Sequence, residues 1–327
     1  MKKRIWLGST FVLLVIALLA ARSFLAPGVV RLPQLSGELQ SLSLQHGGIE
    51  RHYHLYKPAK LPPNPPLLLV FHGSMGSGES MREMSARQFD RLADEQGLLV
   101  VYPDGFDRHW NDCRASASYE ANRQNIDDVG FVRQLITELI QRHGVDSEQV
   151  YGTGLSNGGH MVLRLALETP ELLAGYAPIV ANLPVDANLD CDKRGAPVNI
   201  ALIEGTNDPV NPYDGGLVKL LWDESRGEVL SAAATAQYFA GLVVYGEGPE
   251  PFDLADTDAS DSGYITAQLW YGKSHRVGLF TMQGGGHVLP SVDARFGILG
   301  GDIRDLDAAD LIWAFLRAEP AAAGLPD

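Results

Sequence analysis

The chain has 327 residues, of which 45% are hydrophobic, so it is long enough for one large α/β domain or two small ones. This composition favours a globular protein over a disordered one. The formal net charge of −14 argues against nucleic acid as a partner, because phosphate binding needs clustered Lys and Arg, and no basic stripe follows the N-terminus.

The first residues have the layout of an export signal. The basic stretch Met1–Arg4 is followed by the uncharged, apolar run Ile5–Ala21. No small-x-small cleavage site is clear, and the run is near the lower length limit for spanning a bilayer, so residues 1–26 are interpreted as a signal peptide or an N-terminal membrane anchor. Both alternatives predict an exported protein that is periplasmic, secreted or membrane-anchored, with membrane contact only through this segment if it stays uncleaved.

Composition divides the rest of the chain into three parts. Residues 27–38 contain prolines and little periodicity and are predicted to be a linker. Residues 39–318 show strand and helix signals without an internal repeat, which predicts a single domain. Residues 319–327, rich in Ala and Pro, are predicted to be a flexible tail.

The two cysteines, Cys113 and Cys191, are compatible with one disulfide in an oxidising compartment. Two separate buried thiols are equally compatible with the sequence. Sequence alone does not show whether the two residues meet, so their pairing stays open at this point.

The domain is expected to begin with an antiparallel hairpin. Leu39–Gln45 and Arg51–Lys57 are alternating segments that flank the turn signal His46-Gly47-Gly48. The stretch Pro62–Pro66 cannot join a strand ladder and leads into the continuous apolar run Leu67–Phe71. Such a run is typical of a parallel strand that is covered on both faces.

Strand and helix signals then alternate. Leu98–Tyr102 is a second continuous apolar strand, and Glu83–Gln96 before it has helical spacing and ends at Gly97. Another helix is predicted over Asp127–His143, where Gly144 provides the stop. This order favours a parallel sheet with crossover helices.

The second half of the chain continues this rhythm. Its predicted strands are Gly175–Ala181, Val198–Glu204, Tyr264–Trp270 and Val277–Met282, and its predicted helices are Ser231–Leu242 and Leu306–Leu316. The alternation predicts an α/β fold with a mostly parallel central sheet and helices on both faces, so functional groups are expected at the carboxyl ends of the strands. The acidic stretch Tyr245–Gly263 is expected to be a solvated loop rather than a cation site, because the glycine and distal glutamate of a calcium loop are missing.

One stretch has the pattern of a nucleophile elbow. An apolar run that ends at Thr153 reads as a strand, helical spacing resumes at Met161, and between them lies Gly154-Leu155-Ser156-Asn157-Gly158. Small residues two before and two after the serine let strand and helix pack closely, which presents the hydroxyl group to a base and a carbonyl carbon. The pattern predicts Ser156 as a nucleophile. The competing interpretation is an ordinary strand-to-helix turn with a solvated serine.

An acid and a base follow in the chain order of an α/β-hydrolase triad. Asp208 lies in a tight turn after the strand Val198–Glu204, and His287 follows the last strand on a triple-glycine loop. We predict His287 as the general base and Asp208 as the acid that orients its imidazole. Asp214 competes for the acid role, and a turn cap is the alternative role of Asp208.

Three other histidines compete for the role of base: His72, His109 and His160. His72 comes too early in the chain for a triad base. His160 lies only four residues beyond Ser156 and shares its predicted helix. Order and loop position therefore favour His287.

Backbone groups near the serine are predicted to form an oxyanion hole. Asn157 supplies one N–H group, and Ser74, in the glycine-rich loop after the strand Leu67–Phe71, supplies the second in preference to Met75. An oxyanion hole needs two backbone N–H groups, one from the residue after the nucleophile and one from the loop after an early strand.

Polar and aromatic residues after the strand Leu98–Tyr102 are predicted to reach the same edge of the sheet. Trp110 and Asn111 are predicted to contact substrate, although core packing of Trp110 is an equal alternative. Asp127 and Asp128 fit a helix N-cap better than a catalytic role. No His-Glu-x-x-His, Cys-x-x-Cys or Gly-Lys-Ser/Thr motif is present, so no metal or nucleotide site is predicted.

The ordered motifs resemble exported α/β-hydrolase esterases of the poly(3-hydroxybutyrate) depolymerase and feruloyl esterase type. The matching segments are Leu69–Gly73, Val101–Pro103, Trp110–Asp112, Asp127–Phe131, the elbow, Gly205–Pro209, Pro212–Gly216 and Gly285–His287. Each segment is weak by itself, but the ordered set is specific and runs from about Arg51 to Phe315.

The resemblance implies an α/β-hydrolase catalytic domain and a serine carboxylic ester hydrolase that forms an acyl-enzyme on Ser156. It also implies the triad of Ser156, Asp208 and His287, and no cofactor. His160 stands where members often carry methionine, and Val288-Leu289-Pro290 replaces an aromatic-proline pair. No polymer-binding domain is recognised, so the expected partner is a small-molecule or oligomeric ester.

Two other functions remain as alternatives. A serine peptidase of the prolyl-peptidase-like group would need a site for the peptide N-terminus and usually a propeller domain. A non-catalytic binding protein on a hydrolase fold would normally lack a triad residue, and none is missing here. The sequence thus favours the esterase and leaves its ester undefined.

Overall fold

The computed structural model describes residues 28–29, 31–220, 223–243, 247–261, 263–296 and 299–318. The predicted signal or anchor at 1–26 and the predicted tail at 319–327 lie outside the described residues. Within the described ranges, none of the helices has the length and apolar content that a membrane span requires.

The strands are β1 Gly28–Val29, β2 Glu38–His46, β3 Ile49–Lys57, β4 Leu67–Phe71, β5 Leu99–Pro103, β6 Val150–Leu155, β7 Gly175–Ile179, β8 Ile200–Gly205, β9 Gly216–Leu217, β10 Glu228–Val229, β11 Glu247–Asp253, β12 Tyr264–Tyr271, β13 Arg276–Gln283 and β14 Ala294–Arg295. The helices are α1 Gly78–Met84, α2 Gln88–Gln96, α3 Glu120–Arg123, α4 Asp128–His143, α5 Asn157–Glu168, α6 Ala232–Leu242 and α7 Ala308–Arg317, with a 3₁₀ turn at Asp186–Asn188. Among the described residues, ten of these strands form one sheet in the order β11-β12-β13-β8-β7-β6-β4-β5-β3-β2.

The centre of this sheet is parallel, as predicted. Strands β5, β4, β6, β7, β8 and β13 run parallel to one another, whereas β2, β3, β11 and β12 are antiparallel to their neighbours. The five residues of β4 are all buried, because side chains of alternate residues enter the two cores on opposite faces of the sheet. The fold is an α/β-hydrolase fold.

Helices cover both faces of the sheet. Phe89 of α2 and Ile312 of α7 pack on one face, and Phe131 of α4, Leu165 of α5 and Phe239 of α6 pack on the other. The helices cover the two faces of the sheet and leave the carboxyl ends of the parallel strands to the loops. Functional groups in such folds lie at these strand ends.

The helix predicted over Glu83–Gln96 is two helices. The helical conformation is interrupted between α1 and α2, where Ala86 and Arg87 have φ angles of 50° and 59°. The apolar spacing of the segment spans the break, so periodicity alone did not show it. The predicted stop at Gly97 is confirmed, since this glycine is left-handed and its N–H group bonds to the Ala93 carbonyl.

The acidic stretch Tyr245–Gly263 is only partly a loop. Its first described residues form the edge strand β11, which pairs with β12 and has a register shift between Glu247 and Glu250. The sequence did not predict this strand, because acidic residues are common both at sheet edges and in loops. In the remaining loop, Asp258 forms an ion pair with Arg304 at 3.0 Å, and the Asp261 carboxylate accepts the Arg304 N–H group at 2.6 Å.

The segment predicted as a linker contacts the domain. Strand β1 pairs with β14, and the hydroxyl group of Ser36 donates to Asp94 at 2.8 Å. Gly37 donates its N–H group to the Tyr56 hydroxyl at 2.9 Å. These contacts come from residues far along the chain, so low periodicity did not reveal them.

Cys113 and Cys191 form a disulfide that links positions 78 residues apart. It joins the loop after β5 to the loop after the 3₁₀ turn. The same two loops are also joined by a bond from the Asp190 N–H group to the Cys113 carbonyl at 3.1 Å. Of the two alternatives that the sequence left open, the structure contains the disulfide.

Candidate active site

Ser156 stands between the end of β6 and the start of α5 in a backbone conformation that only a tight turn imposes. Its φ and ψ angles are 56° and −117°, which is strained for a residue with a side chain. The conformation is held from both sides, because the Ser156 N–H group donates to the Ile179 carbonyl at 2.9 Å and its carbonyl accepts the His160 N–H group at 2.8 Å. Ser156 is half-buried at the carboxyl edge of the sheet.

The flanking glycines make this turn possible. A Cβ atom on Gly154 would lie 2.6 Å from the Gly158 carbonyl carbon, and a Cβ atom on Gly158 would lie 2.3 Å from the Phe71 carbonyl oxygen. Neither neighbour can move, since both are backbone atoms. The crowding of strand and helix that the motif predicted is therefore present, with β4 as a third participant.

The predicted acid and base are in direct contact. The distance from His287 Nδ1 to Asp208 Oδ2 is 2.7 Å, and the Asp208 side chain is fully buried. The other carboxylate oxygen, Oδ1, accepts the N–H groups of Val210 and Asn211 at 2.7 and 2.8 Å. Asp208 thus caps a turn and binds the histidine at once, so the two roles that the sequence offered as alternatives coexist.

Backbone hydrogen bonds join the loops that carry this pair. Asn207 donates its N–H group to the Gly285 carbonyl at 2.9 Å, and Gly284 donates its N–H group to the Thr206 hydroxyl at 2.8 Å. His287 itself donates its N–H group to the Leu299 carbonyl at 2.6 Å. The rival acid Asp214 is exposed, and within the described residues the carboxylate that bonds His287 is that of Asp208.

Strand register brings the three residues to one edge. Leu155 of β6 is paired with Ile179 of β7, and Ile179 is paired with Ile203 of β8. Gly205 of β8 is in turn paired with Met282 of β13. Ser156, Asp208 and His287 follow β6, β8 and β13, so all three lie at the carboxyl end of this parallel block.

The glycine-rich loop after β4 lies against the elbow. A Cβ atom on Gly73 would lie 3.6 Å from the Ser156 Cβ atom. The loop turns through a bond from the Gly76 N–H group to the Gly73 carbonyl at 3.1 Å, so the N–H groups of Ser74 and Met75 are not used by the turn. On the other side, Asn157 is the first residue of α5, where the N–H group has no acceptor within the helix.

A buried polar network holds the start of α5. The Asn157 side chain accepts the Trp110 N–H group at 2.8 Å and donates to the Trp110 carbonyl at 3.1 Å and to Asp112 at 2.6 Å. Asp112 also pairs with the Arg114 guanidinium at 2.6 Å and accepts the Tyr119 hydroxyl. Burial by itself raises the pKa of Asp112, but the Arg114 guanidinium outweighs it and holds this pKa well below its usual value.

Trp110 and Asn111, which were predicted to contact substrate, are both buried. Trp110 is 0% exposed, and its indole N–H group donates to the His72 carbonyl at 3.0 Å. Asn111 is buried, and its side chain donates to the Ile126 carbonyl at 2.8 Å. Both residues are buried because they connect the loop after β5 to other loops, and Trp110 packs in the hydrophobic core, the alternative that the sequence left open.

The neighbouring acidic pair serves the same framework. Asp127 is the N-cap of α4, as predicted, since its side chain accepts the Gly130 N–H group at 2.8 Å. Asp128 is instead buried, pairs with Arg51 at 2.7 Å and accepts the Asn111 N–H group at 2.7 Å. The cap prediction therefore holds for one residue of the pair.

The other candidate histidines, His72 and His109, make contacts that stabilise loops of the fold. His72 is 1% exposed, donates from Nδ1 to the Gly73 carbonyl at 2.7 Å, and accepts the Gly105 N–H group at Nε2 at 2.9 Å. Burial lowers its pKa to about 4. His109 stacks on Tyr119 with ring centroids 4.6 Å apart.

His160 is buried on the first turns of α5. Burial and then the nearby Arg114 guanidinium hold the pKa of His160 well below its usual value. Its Nδ1 atom has no hydrogen-bond partner among the described residues. The imidazole is therefore neutral and packed beside the network of Asp112 and Arg114.

The sequence did not predict that the network of Asn157, Asp112 and Arg114 supports the serine. Its signal was the polar run that ends at Asp112, together with the Arg114 that follows it, but Asn157 lies 45 residues further along the chain. No group of three or more His, Cys, Asp or Glu side chains in the described ranges has the arrangement of a metal site.

Comparison with known proteins identifies the family. A family model described as Esterase PHB depolymerase matches residues 52–242. The chain is 32% identical over 286 residues to the protein named "Putative esterase NocK" from Nocardia uniformis subsp. tsuyamanensis, and the alignment covers 82% of this chain and 80% of that protein.

Other relatives match over shorter stretches. Identity to feruloyl esterase B of Thermothelomyces thermophilus is 28% over 159 residues, which covers 48% of this chain and 53% of that enzyme. Identity to the poly(3-hydroxybutyrate) depolymerase of Ralstonia pickettii is 29% over 137 residues, or 37% of this chain and 27% of that enzyme. This chain thus spans about half of the first enzyme and a quarter of the second.

Solved structures agree with the fold. An acetyl xylan esterase from Aspergillus awamori superposes with a TM-score of 0.56 at 18% identity, covering 78% of this chain and 96% of that one. At this identity the likeness supports the α/β-hydrolase architecture alone.

Proposed function

The chain belongs to the Esterase PHB depolymerase family and is a carboxylic ester hydrolase, and we propose that it works through an acyl-enzyme on Ser156 with His287 as base and Asp208 as acid. The observation that carries the proposal is the 2.7 Å bond between His287 Nδ1 and Asp208 Oδ2 at the same sheet edge as the strained serine. A solvated serine in an ordinary turn would not need that strain.

Acylation begins with proton transfer from the serine. Asp208 holds the Nδ1–H of His287, which leaves Nε2 unprotonated and able to accept the proton of the Ser156 hydroxyl. The serine oxygen forms a bond to the ester carbonyl carbon, and the carbonyl oxygen becomes an oxyanion. When the tetrahedral intermediate collapses, the bond to the alcohol oxygen breaks and His287 gives its proton to the departing alcohol.

Deacylation repeats these steps with water. His287 accepts a proton from water, the water oxygen attacks the acyl carbon, and the carboxylic acid leaves as Ser156 recovers its proton. The N–H groups of Asn157 and Ser74 stabilise the oxyanion in both halves. Their support is the free N–H group at the start of α5 and the turn that leaves the Ser74 N–H group unused beside the elbow.

The substrate is proposed to be a small or oligomeric ester. Relatives of this chain are named feruloyl esterase, acetylxylan esterase and poly(3-hydroxybutyrate) depolymerase, so their names span aromatic, acetyl and hydroxyacyl esters. Export is part of the proposal and is supported by the basic and apolar N-terminus and by the disulfide, which forms and persists in oxidising compartments.

A covalent label tests the nucleophile. Fluorophosphonate treatment should add one adduct, which peptide mass spectrometry should locate on Ser156. The wild-type enzyme should show a burst with p-nitrophenyl butyrate, and Ser156→Ala should lose the label, the burst and at least about 10³-fold of kcat. The matched control is Ser43→Ala, an exposed serine on β2, which should keep all three.

Two results would contradict the proposed nucleophile. Normal turnover by Ser156→Ala, or a label on another residue, would remove Ser156 as the nucleophile. Faster cleavage of an aminoacyl amide than of the matching ester would favour the peptidase alternative instead.

A further inference from the structure

Glu204 is a buried acid beside the candidate site that the proposed mechanism does not use. It is the penultimate residue of β8 and is 1% exposed. Its Oε1 atom accepts the Ala181 N–H group at 2.9 Å, and its Oε2 atom lies 3.5 Å from the Asn211 side-chain amide. Glu204 therefore connects the segment after β7 to the loop after β8.

Among the residues that the structure describes, no cation forms an ion pair with Glu204. In the described ranges, its hydrogen-bond partners are Ala181 and Asn211, and the charged group that acts on it is the Asp208 carboxylate. From β13, the facing residue is the neutral Thr281. An ionised carboxylate buried without a cation is strongly unfavourable, so this environment selects the protonated acid.

A neutral carboxyl group can also donate to Asn211 once the Asn211 amide is reversed from its present placement, in which Nδ2 donates to Glu204 Oε2. Asn211 Oδ1 is buried and has no hydrogen-bond partner among the described residues. The oxygen and nitrogen of a side-chain amide are assigned from their hydrogen bonds, so the Asn211 amide can present its oxygen to Glu204. The hydroxyl group of a protonated Glu204 then donates to it, while the carbonyl oxygen of Glu204 keeps the Ala181 N–H group.

A continuous chain of contacts leads from Glu204 to the base. The Asn211 N–H group donates to Asp208 Oδ1 at 2.8 Å, and Asp208 Oδ2 contacts His287 Nδ1 at 2.7 Å. Asn211 thus holds Asp208 through its backbone and Glu204 through its side chain. A shift of Asn211 would move one of the two groups that fix the Asp208 carboxylate.

We propose that Glu204 is a positioning residue: as a neutral carboxylic acid it ties the loop that carries Asp208 to the end of β7 and so aligns the Asp208 carboxylate with His287. The inference rests on the proposed roles of Asp208 and His287. Glu204 acts through Asn211 and does not touch the substrate.

The titration of Glu204 provides a readout that does not depend on activity. Burial raises the pKa of Glu204 well above its usual value, the Ala181 N–H bond works against this rise, and the Asp208 charge adds to it. In the unfolded chain Glu204 ionises near pH 4.5, whereas in the folded protein it stays protonated to higher pH. Folding above pH 4.5 therefore requires uptake of a proton, so the free energy of unfolding falls as pH rises from 4.5 through the folded-state pKa. Below pH 4 this loss is absent.

Glutamine is the matched replacement, because its amide reproduces one acceptor and one donor and cannot ionise. Glu204→Gln should keep wild-type kcat and KM at pH 7. Its melting temperature should equal the wild-type value at pH 4 and exceed it by a margin that grows between pH 5 and pH 8.

Methionine is the disruptive replacement. Glu204→Met should lower kcat about 10- to 100-fold with little change in KM, because a small misalignment of catalytic groups has effects of this size. Leu202→Met, on the same strand, is the control for altered packing and should keep wild-type kcat.

The proposal is overturned if Glu204→Gln loses as much kcat as Glu204→Met, which would mean that the charge is needed, or if Glu204→Met turns over normally. A melting-temperature difference between Glu204→Gln and wild type that is constant with pH would also overturn it, and this arm stands even if Glu204→Met does not fold. Failure of the proposed function would instead appear as normal activity of Ser156→Ala, with the Glu204 melting curves unaffected.

Discussion

On the nucleophile side of the site, buried side chains hold the backbone, whereas on the acid–base side, backbone groups hold the side chains. The Asn157 side chain, Asp112 and Arg114 form a charged network that fixes the start of α5. Asp208 is fixed mainly by the N–H groups of Val210 and Asn211. The difference implies that mutations in the network that supports the nucleophile should act chiefly on stability, and mutations of Asp208 chiefly on rate.

The largest expected effect is on rate. Asp208→Asn should lower kcat by about 10⁴-fold, because the amide no longer selects the productive tautomer of His287. Its carbonyl oxygen can still accept the backbone N–H groups, so the free energy of unfolding should change by less than about 1 kcal/mol. Steady-state kinetics and urea unfolding of the same preparation measure both. A large loss of stability would remove the contrast between the two sides.

The converse variant is Asp112→Asn on the nucleophile side. It leaves the buried Arg114 guanidinium, which is 2% exposed, without its anion, so the free energy of unfolding should fall by about 3–5 kcal/mol. The control is Asp310→Asn, which removes a partly exposed ion pair with Arg91 and should cost less than about 1 kcal/mol. Equal effects of the two variants in urea unfolding would show that the network is not a stabilising element.

The disulfide supports the nucleophile side from a distance. Replacing Cys113 and Cys191 together by serine should lower the free energy of unfolding by about 2–4 kcal/mol, because the cross-link restricts a long loop of the unfolded chain. Dithiothreitol should produce the same shift in the wild-type protein and none in the double variant. If the untreated protein reacts with two equivalents of a thiol reagent, the disulfide is absent and the prediction fails.

The smallest expected effect is the acid sensitivity of His72, which joins the loops after β4 and β5. Its folded-state pKa of about 4 lies below the usual value near 6.5, so its contribution to stability is present above pH 6.5 and is lost as pH falls toward 4. Between pH 7 and pH 5 this loss should reach about 2 kcal/mol. His72→Gln cannot titrate and should be less sensitive over this interval, whereas His52→Gln, at an exposed position, should behave as wild type.

Chain order and local pattern were enough for the fold class and the catalytic hypothesis. The strand Leu67–Phe71 was predicted with its observed limits, because a continuous apolar run after several prolines has few other structures available. The contact between Asp208 and His287 was expected from their positions after two strands, and register brings those strands together. The roles of Ser156, Asp208 and His287 stay a prediction until the label and the variants are measured.

The differences between the sequence-based predictions and the structure have a common physical origin. A helix was predicted across Ala86 and Arg87 because apolar spacing continues through the break, although both residues are left-handed. Trp110 and Asn111 were predicted to face substrate because they follow a strand at the right edge. Their burial depends on partners such as Asn157 and Ile126, which lie elsewhere in the chain.

The sequence by itself determined that the backbone turns sharply at Ser156 and which strands are buried on both faces, because glycine spacing and apolar runs express these needs locally. Only the tertiary structure decided that Cys113 meets Cys191, that Glu204 lies buried beside Asp208, and that Asn157 is held by Asp112. A polar side chain reads the same in sequence whether it faces water or a buried partner. The partner is chosen by packing between segments far apart in the chain, and that packing sets the charge and the position of each group in the site.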